Sequence, residues 1–443
     1  MRLLPLVLVT LFASVLSAEN WPTWRGPSGI AVSSEKGLPT KWSSNDNIAW
    51  KTPINGLGVS SPIVWGDRVF VTSQIGATAL RPGVHPTLVQ GPEAASAGEH
   101  PLGGSRPTAA TGKIEFVVAA FGRIDGKSLW EYRLEAEGPF PEVHEKRNLA
   151  TPSPVTDGER VYAWFSNGQL VALDMNGKPV WARRLGSEYA TFDLSWGHSS
   201  SPALHQDRLI LLCFEETSSY LLALDKRTGK ELWRVEREKG LKSYSTPLVV
   251  DTPKGAELIV NTSERVEAYN PVTGKLLWQF DEPNRFPVPM PVYNDGVLYM
   301  SRGYRSSPYM AVRTGGSGEI SKTQVVWRVP TGGPYISSLV YYDGLIYMAS
   351  ELGIVTCIDA KTGELVWRER LGGFYSASPV AGDGKIYLVS ETGETLVLRA
   401  GRKAEVLARN GLGEQCIASP AISNGQLFIR TDRNLIAIRA PSN

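Results

Sequence analysis

A short phrase ending in tryptophan returns along this chain, and no other feature constrains the fold as strongly. It reads Ala-Leu-Asp-Lys-Arg-Thr-Gly-Lys-Glu-Leu-Trp at Ala223–Trp233, Ala-Tyr-Asn-Pro-Val-Thr-Gly-Lys-Leu-Leu-Trp at Ala268–Trp278 and Cys-Ile-Asp-Ala-Lys-Thr-Gly-Glu-Leu-Val-Trp at Cys357–Trp367. Two copies one residue shorter end at Trp130 and Trp181, Trp50 and Trp327 close weaker copies, and Leu407 takes the tryptophan place in another. A second phrase alternates with the first: a small residue, Pro, an apolar residue, an Asp/Asn-Gly turn and an alternating strand. It begins at Ser61, Ser153, Ser201, Thr246, Met290, Ser378 and Ser419, with Ser338-Leu339 as the copy lacking proline. Eight units result, most of them 40 to 50 residues apart.

Each unit reads as four short strands, because period-two alternation is broken by Asp-Gly and Thr-Gly turns. In the seventh, the strands are expected at Ser378–Val380, Lys385–Ser390, Thr395–Arg399 and around Leu407. The glycine of Thr-Gly falls where the backbone needs positive φ. A lone four-stranded unit cannot bury both faces, so such units stack in a ring. The expected fold is all-β, an eight-bladed propeller spanning 48–439. Trp50, Trp130, Trp181, Trp233, Trp278, Trp327 and Trp367 sit in fixed register and are expected to wedge between blades. The last unit has three strands, whereas a tryptophan strand at Ile48–Lys51 precedes the first unit. The N-terminal strand is therefore expected to complete the last blade and remove the open edges.

Before the ring come two other segments. Arg2, an apolar run from Leu3 to Leu16 and the small Ser17 and Ala18 have the make-up of a secretory signal over 1–18, too short for an ordinary membrane span. Residues 19–47 are an extension. No later stretch reads as a span, so a secreted, periplasmic, monomeric protein is expected. The 46 basic and 44 acidic residues nearly cancel, which leaves no field for gripping nucleic acid. Three separated cysteines, Cys213, Cys357 and Cys416, exclude a disulfide scaffold and a four-thiolate zinc site. No protease, P-loop, EF-hand or dinucleotide motif occurs, and no metal site is expected.

The Ala-x-Asp-x-x-Thr-Gly-Lys/Glu-x-x-Trp phrase resembles the tryptophan-docking repeat of the pyrroloquinoline-quinone (PQQ) type eight-bladed propellers, from about residue 40 onward. The opening Trp21-Pro-Thr-Trp-Arg-Gly-Pro27 is similar to the start of many exported bacterial PQQ-like repeat proteins. That family includes quinoprotein alcohol and glucose dehydrogenases. It also includes BamB-like scaffolds of outer-membrane assembly. The resemblance implies either a binding propeller with an envelope protein partner or a small ligand, or a PQQ- and calcium-dependent oxidoreductase. The dehydrogenases' adjacent cysteine pair, catalytic Asp and calcium ligands have no counterpart here, nor does the lipidated cysteine of BamB. A scaffold without cofactor is the leading expectation. A hydrolase or lyase would require paired carboxylates that the sequence alone cannot bring together.

Topology places the candidate site. Alternate turns of a meander lie at opposite ends, so the turns between strands two and three share a face with the links between blades. That face carries the insertion 76–112 with His85 and His100, and the stretch Glu142-Val-His-Glu-Lys-Arg-Asn148. His144 there could act as a base or metal ligand, with Arg147 and Asn148 beside it. It also carries Asp193, Trp196 and His198, of which Trp196 lies outside the tryptophan register. Arg302, Tyr304 and Arg305 could grip a carboxylate, phosphate or carbonyl. Arg285, Tyr335, Phe374, Tyr375 and Glu414 come from other links of the same face, and the whole group is expected to ring a central funnel.

Overall fold

The computed structural model describes residues 19–76, 113–144, 146–304 and 308–441. The 1–18 leader, the insertion beyond Gly76 with His85 and His100, Glu145 and Arg305 lie outside the described residues.

Eight antiparallel sheets of four blade strands each follow one another around a ring. Blade one runs Ile63–Trp65, Arg68–Ile75, Glu115–Gly122 and Ser128–Glu135. Blades two to seven repeat the pattern through Val406–Gly411. Blade eight takes Ala421–Ser423, Gln426–Arg430 and Asn434–Arg439 from the C-terminal end, and Ile48–Pro53 closes it against Asn434–Arg439. The closure expected from the missing tryptophan strand is what the chain does. Strands one start later than the sequence suggests: in blade seven the first strand is Val380–Gly382. The Ser-Pro pair before it is occupied with other bonds.

The tryptophan phrase explains itself in three dimensions. The aspartate turns the chain: Asp225 Oδ1 accepts the N–H groups of Arg227 and Thr228. The small residue at its head faces the tryptophan across the sheet, as Ala223 faces Trp233 and Cys357 faces Trp367. A register shift beside that pair, a β-bulge, tips the ring toward the next blade. There the indole N–H meets a turn carbonyl: Trp181 bonds Lys226 O at 3.1 Å and Trp327 bonds Ala360 O at 2.9 Å. Trp50, Trp130, Trp233 and Trp367 reach Arg123, Met175, Pro271 and Gly401 in the same way. Gly363, at φ 75°, lies under Trp327, where a Cβ would come within 2.6 Å of the ring. Glycine is needed there both for conformation and for space.

Trp278 departs from the pattern expected of it. It is fully buried, but its N–H bonds Glu257 Oε2 of its own blade at 2.9 Å. Blade five has no Asp-x-x-Thr-Gly turn to receive it. Its chain instead makes an excursion over 314–324, whose Gly318–Glu319 pairs in parallel with Trp278 and Gln279.

The second phrase builds the inner wall. The backbone N–H of Ser61 bonds Ser153 Oγ, Ser153 bonds Ser201 Oγ, and Ser201 bonds Thr246 Oγ1. After a gap, Met290 N–H bonds Ser338 Oγ, Ser338 bonds Ser378 Oγ, Ser378 bonds Ser419 Oγ, and Ser419 bonds Ser61 Oγ. All lie at 2.9–3.0 Å. A belt of hydroxyl links thus runs round the axis, and it is broken only where Met290 offers Thr246 no hydroxyl.

The extension seals the face of the short turns. Trp21 bridges Val64, Pro22 O accepts Thr156 N–H, and Val32–Ser33 pairs with Ala381–Gly382. Between these contacts Trp24 enters the axis and donates to Ser419 Oγ at 3.1 Å. Arg25 is buried beside it, bonded to the carbonyls of Pro379 and Leu339. Burial without a carboxylate pushes its guanidinium down to about 9.

Candidate functional site

The loop face opens over the axis as a funnel. Its walls bring together His144, Arg147, Trp196, Tyr244, Phe286 and Tyr335. Aromatic rings pass contact along one side: Tyr244 to Phe286 at 6.0 Å, Phe286 to Tyr304 at 5.0 Å and Tyr304 to Tyr335 at 5.0 Å. These are edge-to-face geometries, the favoured arrangement for ring quadrupoles. On the other side the His144 ring tilts against Trp196 at 5.5 Å. The exposed Arg285 lies over Phe286 at the rim.

Charge in the funnel is unevenly satisfied. Lys146 is neutralised by Glu391 at 2.8 Å, and Glu391 also accepts Ser376 O–H. Arg147 faces Tyr244, with its guanidinium 6.0 Å from the ring, and its Nη1 is enclosed without a hydrogen-bond partner. Burial holds this guanidinium below its usual value. Burial, then the charges of Arg147 and Lys146, pushes His144 down to about 3, so it stands neutral at ordinary pH. Its Nδ1 accepts the Lys146 backbone N–H.

Below the funnel the channel narrows onto the hydroxyl belt. The positions two residues before the belt line it: Val59, Thr151, Ser199, Tyr244, Val288, Ile336, Ser376 and Ile417. Trp24 closes it from beneath.

The family model described as outer membrane protein assembly factor BamB matches residues 115–307 and 318–440. The chain belongs to this family. A curated BamB of Shewanella oneidensis is 26% identical over 266 residues, which are 50% of this chain and 64% of the relative. The chain thus spans just under two thirds of that relative's length. Among solved structures, BamB from Moraxella catarrhalis superposes with a TM-score of 0.54 at 16% identity, over 84% of this chain and 99% of that one. A quinohemoprotein alcohol dehydrogenase from Comamonas testosteroni gives 0.66 at 12% identity, over 96% and 82%. At these identities the structural likeness speaks for the fold alone.

The BamB-family fold does not bring all the expected residues to the funnel. Arg302 is fully buried and turned into the neighbouring blade, bonding Glu282 O, Asn261 Oδ1 and Thr262 O. It is a strut between blades four and five. Glu414 is held by Lys51, Thr431 and Asn434, which ties it into blade eight. Burial raises that carboxyl, but Asn434, Lys51 and Thr431 outweigh burial and hold it below its usual value. His198 is buried against Glu215 at 2.8 Å and packs on Trp164. Asp193 caps the loop at Glu216 and Thr217. Asn148 spends its amide on Leu57 O and Ala150 N–H, and Tyr375 is buried in an apolar cluster. Tyr244, Phe286, Ile336 and Ile417 are site residues that motif reading passes over. The signal for Tyr244, Ile336 and Ile417 was present: each stands two residues before a belt position.

Proposed function

We propose that this BamB-family propeller is an envelope scaffold whose funnel docks a segment of a protein partner. The observation that carries the reading is the aromatic wall from Tyr244 through Phe286 and Tyr304 to Tyr335, open on the loop face and flanked by Arg285 and Arg147. Aromatic residues and arginine are the side chains that dominate binding energy where proteins meet. The leader-like 1–18 and the assembly role printed for the curated relative support an exported, outer-membrane-associated setting. No helix among the described residues is long and apolar enough to cross a membrane.

The residues of this funnel do not fit PQQ. The funnel cavity is about 90 Å³ and the channel beneath about 100 Å³. Cofactor pockets usually span roughly 300–1,000 Å³. Among the described residues no three His, Cys, Asp or Glu side chains gather to hold a metal ion. Two carboxylates beside the wall are already engaged, Glu391 by Lys146 and Ser376 and Glu351 by the backbone N–H groups of Tyr335 and Ile336.

A photo-crosslinking residue placed at Arg285 in the full-length protein tests the docking reading in intact cells. Crosslinks to one envelope protein, lost on Tyr304→Ala and Tyr335→Ala, are the expected result. Crosslinks that ignore those substitutions would reject the funnel. Saturable PQQ binding with dye-linked alcohol oxidation would replace the scaffold by the oxidoreductase.

A further inference from the structure

We propose that the axis of the propeller is a carboxylate site, with Arg147 as its cation and the hydroxyl belt as its floor. The inference deepens the docking reading and rests on the same funnel, but it concerns the chemistry at the bottom rather than the aromatic wall.

Among the described residues lining the channel, Arg147 is the one cation, and no carboxylate among them pairs with it. Lys146 has Glu391, whereas Arg25 and Arg302 lie outside the channel's aromatic mouth and bond backbone carbonyls or an amide oxygen. The Arg147 guanidinium meets the Tyr244 ring, and its enclosed Nη1 donates to no atom of the described residues. A guanidinium is planar and forked, and its natural complement is an oxyanion that takes two parallel N–H groups.

The floor supplies donors as well. A serine or threonine hydroxyl has one hydrogen and two lone pairs. In the belt each oxygen accepts a backbone N–H, so the hydrogen remains to be placed. The hydroxyls of Ser61, Ser153, Ser201, Thr246 and Ser419 donate no hydrogen bond to the described residues, and all five line the channel cavity. Side-chain hydrogens and one arginine therefore converge on one channel below the funnel. Among the described residues no Asp or Glu lines it. The space is about 100 Å³, enough for a few water molecules at about 30 Å³ each, or for one carboxylate group.

The balance of charge selects the ligand class. Among the described residues lining the channel, one cation with neutral hydroxyls compensates one negative charge, not two. The walls above are Tyr244, Tyr335, Phe286 and Ile336, so the body carrying the carboxylate is apolar or aromatic. The class is an aryl or alkyl monocarboxylate, supplied either as a free molecule or as the carboxylate of a docked protein segment.

Phenylacetate, its uncharged amide phenylacetamide, and inorganic phosphate separate the alternatives. Each is titrated into the full-length protein, following tryptophan fluorescence, since Trp196 and Trp24 flank the site, together with the unfolding temperature. Phenylacetate is expected to saturate at or below about 10 mM and to raise the unfolding temperature, with phenylacetamide and phosphate inert over the same range. Arg147→Gln should weaken phenylacetate at least tenfold, and Arg147→Lys, which keeps the charge but loses the fork, several-fold. Arg402→Gln, at an exposed arginine paired with Asp359 on the face of the short turns, should change nothing. Phenylacetate binding that survives Arg147→Gln, equal binding of phosphate, or no saturation at all would each overturn the site. The Arg285 crosslink separates this failure from failure of the scaffold. Crosslinking without any carboxylate binding leaves the scaffold standing and removes the axial site. If both occur, phenylacetate that competes with the crosslink assigns the carboxylate to the partner, and phenylacetate that does not assigns it to a free molecule.

Discussion

The junction between blades four and five and the junctions elsewhere solve one problem with different parts. At six of the other seven junctions a tryptophan on the outer strand docks on the next blade's turn, and a serine or threonine at the axis receives the previous blade's N–H; at junction seven to eight Leu407 takes the tryptophan's place. Trp181 with Lys226 and Ser153 with Ser201 show the pair at work. Between blades four and five both devices are missing: Trp278 turns to Glu257, and Met290 stands where a hydroxyl would be. The replacements are larger. Arg302 crosses at the centre, the excursion over 314–324 wraps the outer edge, and Arg328 grips Glu282 with two bonds at 2.9 Å. Junction eight to one keeps both standard devices and adds a buried arginine of its own, Arg430, which reaches Ser60, Thr72 and Ser73. A repeat fold can therefore lose its repeated contact locally if a long side chain or an added strand restores the buried area and the hydrogen bonds.

The largest effect should come from the tryptophans. Trp278→Ala removes a fully buried ring and leaves the Glu257 carboxyl without its donor. It should cost about 5 kcal/mol, whereas Trp327→Ala, on a half-buried ring, should cost about 3 kcal/mol. Denaturant midpoints measure both. Equal losses would mean that junction four to five is ordinary in energy despite its different parts. Next comes Arg302→Gln, which strands two carbonyls and an amide oxygen and should cost about 3 kcal/mol. A loss under about 1 kcal/mol would show that the strut is dispensable and that the excursion alone holds the junction.

How much of this was legible follows from where the chemistry lies. Blade count, closure and the tryptophan docks are local or periodic: Asp225 turns its own next residues, and Ala223 faces Trp233 because the turn fixes the register. Such features repeat, so a sequence displays them. The misplacements share another cause. Arg302, Glu414 and His198 find partners distant in the chain, at Thr262, Lys51 and Glu215. An arginine after a strand looks the same whether it faces a ligand or a neighbouring blade. The funnel lies between these cases. His144, Arg147, Trp196 and Tyr335 were picked out by residue type, whereas Tyr244 and Ile417 needed the register two places before each belt position, which becomes meaningful once the axis is known.

The belt itself offers a finer comparison. Ser378→Ala removes the acceptor for the buried Ser338 N–H and should cost about 2 kcal/mol. At Met290 the opposite repair can be tried. Met290→Thr and Met290→Val have nearly the same shape and lose the same packing against Leu248 and Leu298. Only threonine can accept the Thr246 N–H and complete the belt, so it should be more stable than the valine variant by about 1 kcal/mol. Amide exchange at Thr246 should slow in the threonine variant alone. No difference between the two would mean that blade five sits too far from the axis for any hydroxyl to bridge, and that the gap is set by backbone placement.

The smallest effect is electrostatic and belongs to the same junction. Glu257 is raised above its usual value, because burial outweighs the bonds from the Trp278 indole, the Gly315 N–H and the charge of Lys254. A carboxyl raised on folding binds a proton in the folded state where the unfolded chain has already lost it. Its stabilising contribution is complete below the unfolded value and is lost as pH rises through the folded one. Wild type minus Glu257→Gln, followed by denaturant midpoint from pH 4 to pH 8, isolates this group from His144, which titrates in both proteins. The difference should move against wild type as pH rises, with a slope no steeper than about 1.4 kcal/mol per pH unit. The same carboxyl in an ordinary junction would have no reason to be buried, since there the indole N–H is satisfied by a backbone carbonyl, which carries no charge. A flat difference would mean that the excursion over 314–324 leaves Glu257 in contact with water, and junction four to five would then be sealed by Arg302 rather than at its outer edge.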